Sequence, residues 1–207
     1  MITLAIDTST ARGAVAVLHD DKPITEQAFQ RGELFVALGR LKLGNPDLIV
    51  VGVGPGSFTG IRVGIAAAKG LALPHARPIK AVSSFDALAL TALPQMPRDC
   101  QQMCALCDAR RDEVYFAIYE RDGRRAGNIR IATLESIADE MHNPFWFVSP
   151  EIERYKQPLK EVFGGFASIC EQPVHPSAAA LGWIGLARET KLPLEPIYLR
   201  EAEYKKL

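Results

Sequence analysis

The chain has 207 residues, 48% of them hydrophobic, with 24 basic and 24 acidic side chains. That length supports one large domain or two lobes with a real core, and zero net charge argues against a protein whose main task is gripping nucleic acid, since phosphate binding needs concentrated positive charge. Arg62 and Lys69 interrupt the longest apolar run below membrane-span length, and a start without a basic and apolar leader predicts a cytoplasmic protein.

Ile2 to Ile6 predicts a buried strand ending in the turn-forming run Asp7-Thr8-Ser9-Thr10. Gly13 to His19 and Ile24 to Phe29 predict two more strands across a turn at Asp20-Asp21-Lys22-Pro23, an antiparallel meander. Glu33 to Lys42 has helical spacing through Leu34, Leu38 and Leu41, about three turns, and Gly44-Asn45-Pro46-Asp47 stops it. Leu48 to Val53 is a continuous apolar run, as in a strand covered on both faces.

Gly54-Pro55-Gly56 then breaks the chain, and Ser57 or Thr59 caps a helix that reaches Leu73. Gly60, Gly64 and Gly70 each cost that helix about 1 kcal/mol relative to Ala. Gly60, Gly64, Ala68 and Ala72, four apart, form a ridge with almost no side chains. Either the chain's own sheet or a helix of another subunit can approach such a ridge closely. Arg62, Ala66 and Lys69 lie on another face. Ser83-Ser84 caps a further helix whose core positions are Phe85, Leu88 and Ala89.

Leu93-Pro94-Gln95-Met96-Pro97 predicts a boundary between residues 1–97 and 98–207. Beyond it the theme restarts: a strand from Met103 to Cys107, a turn at Asp108-Ala109-Arg110-Arg111, and strands over Glu113–Glu120 and Ile129–Thr133. A helix begins at Thr133 or Glu135, Phe145 to Val148 is a strand, Ser177 to Lys191 a helix, and Ile197-Tyr198-Leu199 closes the pattern. Two lobes that each open with a strand, an Asp-bearing turn and a returning strand point to an internal duplication.

The chemistry is sparse. Cys104 and Cys107 have zinc-like spacing, but residues three apart on a strand face opposite ways, so these two, Cys100 and Cys170 are expected to be inert reduced thiols. His19, His75, His142 and His175 are scattered without a metal-binding pair. The basic groups Arg110-Arg111 and Arg121, Arg124, Arg125 and Arg130 read as solvated hairpin surface. There is no Walker loop, no G-x-G-x-x-G after a strand, and Ser57 sits one place early for a hydrolase elbow. The helix N-terminus over Ser57 to Gly60 can bind an anion through free N–H groups.

Asp7-Thr8-Ser9, Gly54 through Gly64, Asp108-Ala109-Arg110 with Glu113-Val114-Tyr115, and Pro196-Ile197-Tyr198-Leu199-Arg200 together resemble the TsaB (YeaZ) family, in order from Ile2 to about Arg200. The resemblance implies an α/β, actin-like (ASKHA, ribonuclease H-like) two-lobed fold, with mixed sheets flanked by helices. It implies a non-catalytic scaffold and dimerisation subunit that binds the catalytic subunit TsaD, with the small ATPase TsaE, for tRNA threonylcarbamoyladenosine synthesis beside the anticodon. ATP would be used by the assembled complex, with no cofactor or metal of the chain's own, tRNA met only indirectly, and a second copy as the other partner.

The partner-binding residues so implied are Glu33, Leu34, Leu38, Thr59, Gly60, Arg62, Val63, Gly64, Ala67 and Ala68. Asp7, Thr8, Ser9, Gly54, Gly56, Ser57 and Asp108 form a vestigial phosphate site, where Ala109 and Arg110 replace the expected flexible glycine. The rival expectation is an active actin-like ATP hydrolase or small-molecule kinase using Asp7 and the inter-lobe cleft. A peptidase comes third, lacking a metal-ligand pair.

Overall fold

The structure, a computed structural model, describes residues 1–41, 44–141, 144–187 and 192–199. Lys42, His142, the end of the helix expected to reach Lys191, and Arg200 lie outside the described residues.

Two five-stranded mixed sheets organise the chain. In the first, β1 (Ile2–Asp7), β2 (Arg12–His19) and β3 (Lys22–Gln30) form the expected meander, while β4 (Leu48–Gly52) and β5 (Ile79–Val82) add in parallel, in the order β3-β2-β1-β4-β5. Pro23 lies within β3 rather than in the turn, which an edge strand tolerates because one side of its backbone is unpaired.

Side-chain alternation sorts the first sheet's two faces. Leu4, Ile6, Ile49 and Val51 point towards α1 (Leu34–Arg40) and α2 (Phe58–Ala72). Ala5, Ala16, Leu18 and Val50 point the other way, towards α3 (Ser84–Ala92) and α6 (Ala178–Ala187). Gly182 and Gly185 let α6 lie almost on the strands: an added Cβ would come 2.6 Å from Leu18 and from Val50 side-chain atoms respectively.

The second sheet runs β10-β9-β6-β7-β8, from β6 (Gln102–Arg110), β7 (Glu113–Glu120), β8 (Arg125–Ala132), β9 (Phe145–Val148) and β10 (Ala167–Ile169). Phe85, Leu88 and Ala89 of α3 pack into its core, as do α4 (Leu134–Glu140) and α5 (Ile152–Phe163). Asp86 of α3 accepts hydrogen bonds from the Tyr119 hydroxyl at 2.7 Å and from Arg125 at 3.0 Å, tying β7 and β8 to the first lobe. A division at residue 97 separates the two sheets, but α6 crosses back to the first. Its N-terminal backbone is held there by Glu26 of β3, which accepts from the Ala178 N–H at 2.7 Å and the Ser177 hydroxyl at 3.1 Å.

Several sequence expectations shift. The first helix has seven residues, Leu34–Arg40, and β8 starts at Arg125 rather than Ile129. Ile197–Leu199, which closes the sequence pattern, lies as a strap whose Ile197 N–H donates to the Val53 carbonyl at 2.9 Å. All four cysteines are buried free thiols, and burial pushes Cys104 up to about 12.

Candidate functional site: the inter-lobe cleft and an exposed helical face

Asp7 ends β1 almost fully buried. Its Oδ1 accepts from the Ser9 N–H at 2.9 Å and the Ser9 hydroxyl at 2.6 Å, and its Oδ2 accepts from the Ser84 hydroxyl at 2.6 Å. The Ser84 hydroxyl that donates here also accepts from the Gly54 N–H at 3.1 Å, linking the carboxylate to the glycine loop. Burial raises the Asp7 carboxyl above its ordinary value, against the lowering effect of these bonds.

The glycines explain this turn. A Cβ on Gly52 would run into the Asp7 carboxylate, one on Gly56 into the Ser9 carbonyl, one on Gly60 into the Thr8 carbonyl, and one on Gly64 into the Thr8 hydroxyl. Thr8 Oγ1 donates to the Gly60 carbonyl at 2.7 Å, and the Ser57 N–H donates to the Ser9 carbonyl at 2.6 Å. The glycine loop and the start of α2 therefore clasp the chain's own first turn.

This corrects the expected docking ridge. Gly64, Ala67, Ala68 and Leu34 are buried within the chain, and Gly60 lies against Thr8. Leu38 is half-buried on the same core, and the Glu33 carboxylate accepts from the Gln30 N–H at 3.0 Å. Thr59, Arg62 and Val63 do face outward. So does an apolar set of which the sequence reading had named only Val63 (42% exposed): Phe35 (68%), Val36 (54%), Leu71 and Leu73 (81%) join it. Along α2 and just past its end, Thr59, Val63, Ala66, Gly70 and Leu73 are exposed and spaced four and three apart, the spacing of a helix-packing seam. The legible signal was Phe35-Val36, which falls off the Leu34, Leu38, Leu41 stripe.

Asp108 lies across a cleft of about 450 Å³ that is also lined by Ser9, Ser57, Arg31, Arg110 and Glu151. Burial alone would raise its carboxyl. The Arg110 N–H at 2.9 Å and the Arg154 guanidinium at 2.9 Å outweigh burial and hold it below its usual value. Glu151 moves up instead, through burial and then the charge of Asp108. Arg110, with φ of 68°, occupies the place of the expected glycine.

These groups do not fit a nucleotide phosphate with magnesium. Both Asp7 oxygens and the Ser9 N–H are already engaged, the glycine loop presses on Ser9 and Thr8, and Arg154 and Arg110 neutralise Asp108. Among the described residues no group of three His, Cys, Asp or Glu side chains could hold a metal ion, and no helix is long and apolar enough to cross a membrane.

Two lobes, each a mixed sheet with flanking helices over a shared cleft, define an actin-like fold. Component A of (R)-2-hydroxyglutaryl-CoA dehydratase from Acidaminococcus fermentans has the same fold, with a TM-score of 0.54 at 10% identity over 90% of this chain and 98% of that one. A family model described as "TsaD: tRNA N6-adenosine threonylcarbamoyltransferase" matches residues 33–177. The tRNA threonylcarbamoyladenosine biosynthesis protein TsaB of Bacillus subtilis is 31% identical, over 98% of this chain and 96% of its own length. YeaZ from Pseudomonas aeruginosa superposes with a TM-score of 0.73 at 25% identity, over 96% and 99% of the two chains. The chain belongs to this family, on its TsaB (YeaZ) side.

Proposed function

We propose that the chain is a non-catalytic, cytoplasmic docking subunit in tRNA threonylcarbamoyladenosine synthesis. The outer faces of α1 and α2 seat a TsaD-like catalytic subunit, a TsaE-like ATPase joins the assembly, and ATP is consumed there. A second copy of the chain competes for the same faces, and tRNA is held by the other subunits. The exposed apolar side chains Phe35, Val36, Val63 and Leu73 on and beside α1 and α2 carry this proposal, with Phe35 and Val63 lining one depression, because an exposed apolar patch marks a partner site. The small residues Gly39, Ala66 and Gly70 are exposed on the same two helices and let another helix approach closely. Support for a non-catalytic role comes from Asp7, which is buried and whose two oxygens both accept hydrogen bonds from within the chain, from Ser9 and Ser84.

The test is a pair of substitutions, Phe35→Asp and Val63→Asp, assayed by calorimetric titration against the TsaD-like subunit of the same source. Both side chains are exposed, so thermal stability should hold within about 2 °C. Each change removes buried apolar contact and places a carboxylate in the seam, so the double variant should bind roughly 100-fold more weakly or worse. Folded protein that binds normally sinks the docking role. Separately, the purified chain should turn over magnesium-ATP no faster than a buffer blank. Robust turnover would favour the hydrolase or kinase alternative.

A further inference from the structure

Beside the seam, the strap over residues 194–199 crosses the first lobe. Leu194 and Ile197 pack on the α2 side of the first sheet, and the bond from Ile197 to Val53 sets Tyr198 against the first turns of α2. The Arg62 guanidinium lies 3.7 Å from the Phe58 ring centroid. Its Nε–H and Nη2–H both donate to the Tyr198 hydroxyl, at 3.3 and 3.0 Å. The Phe58 and Tyr198 rings, with centroids 5.8 Å apart, are tilted against each other. All three side chains stay exposed.

An arginine offers five N–H donors in one rigid plane, and the clamp uses two. Among the described residues no carboxylate pairs with Arg62. A long cation held in place beforehand loses little rotamer freedom on binding, and Arg beside aromatic rings is the composition of interface hot spots. Neither α1 nor α2 contains a carboxylate, whereas Arg40, Arg62 and Lys69 are exposed cations on them. The immediate surroundings of Arg62 are the apolar Phe58, Val63 and Tyr198, unlike the dense basic surface that a nucleic-acid backbone requires.

The geometry points to a carboxylate-reading anchor: the Phe58–Arg62–Tyr198 clamp presents Arg62 to an Asp or Glu of the TsaD-like subunit seated on the adjoining seam. This rests on the docking role proposed above. The free N–H groups meet the two carboxylate oxygens side by side, the strongest common geometry for such a pair. A second copy meeting through α1 and α2 would bring helices without carboxylates, and Glu33 at the start of α1 is engaged by the Gln30 N–H at 3.0 Å, so the occupant is a different subunit.

The experiment measures the affinity of the full chain for the full-length TsaD-like subunit at 50 and 300 mM NaCl, with unfolding temperature as a folding control. Arg62→Ala should weaken binding roughly 30-fold, as truncation of a hot-spot arginine does. It should also flatten the salt dependence, because the lost contact is ionic. Arg62→Lys keeps the charge but loses the planar fork, and Tyr198→Phe keeps the ring but frees the guanidinium; each should fall in between. If Arg62→Ala binds like the wild type while Val63→Asp abolishes binding, the anchor is refuted and the docking role survives. If neither change matters, both fail. If Arg62→Ala alters only self-association of the chain, measured by sedimentation, the anchor serves a second copy and the assignment is overturned.

Discussion

Replacing Gly64 by leucine should destabilise the chain itself, by about 3 kcal/mol through overpacking, with a fall in unfolding temperature of roughly 6–12 °C. The position is buried against Thr8, and even one added carbon meets its hydroxyl. Thr8 cannot simply rotate away without giving up its bond to the Gly60 carbonyl. A smaller change gives a sharper test. Alanine favours helix by up to about 1 kcal/mol over glycine, so the sign of Gly64→Ala depends on Thr8. It should destabilise the wild type but become neutral or stabilising in a Thr8→Ala background, a coupling that a double-mutant cycle reads directly. Gly70→Ala provides the contrast. Its added carbon would meet nothing within 4 Å, so it should raise the stability of the free chain by up to about 1 kcal/mol. If Gly64→Leu kept the unfolding temperature and lost only partner binding, the inward packing of this ridge would be refuted.

That ridge shows where the sequence was readable and where it was not. Spacing by four revealed that something approaches α2 closely. It could not say what, because glycine and alanine carry almost no hydropathy to distinguish core from interface. The answer lies in Thr8, 52 positions away from Gly60 along the chain. Alternation and turn residues made the β1–β2–β3 meander legible, and Ser57 caps α2 as its sequence implies, accepting from the Gly60 N–H at 3.3 Å. The second lobe was less transparent. Pro158 inside α5 masks a stripe, Ile152, Tyr155, Leu159 and Phe163, that is otherwise a plain amphipathic signature. β5 and β10, of four and three residues, are too short to show a period. The clamp on Arg62 needed the strap, whose contacts with α2 are set by tertiary packing alone.

Asp7→Ala should be the most damaging single change outside the hydrophobic core. Three donors converge on that carboxylate, the Ser9 N–H and the hydroxyls of Ser9 and Ser84. Each buried donor left without a partner costs about 1–3 kcal/mol, so a total near 4 kcal/mol is expected after the hydroxyls relax. Asp7→Asn keeps one good acceptor and should cost about half of that, and it should also change the dependence on pH. Burial raises the wild-type carboxyl in the folded chain, so the folded state holds its proton to higher pH than the unfolded state does. The stability this group contributes is therefore complete below its unfolded value, near pH 4, and is lost as pH rises through the folded value. Asparagine does not titrate, so the deficit of Asp7→Asn relative to wild type should be largest in acid and narrow as pH climbs. Urea unfolding of both proteins between pH 4 and 8 reads this directly. A deficit that widened with pH would mean the carboxylate is favoured in its ionised form, as a group kept ready for a metal or phosphate would be. A folded Asp7→Asn protein that also lost a magnesium-dependent ATP turnover would make this turn a working site rather than a structural knot.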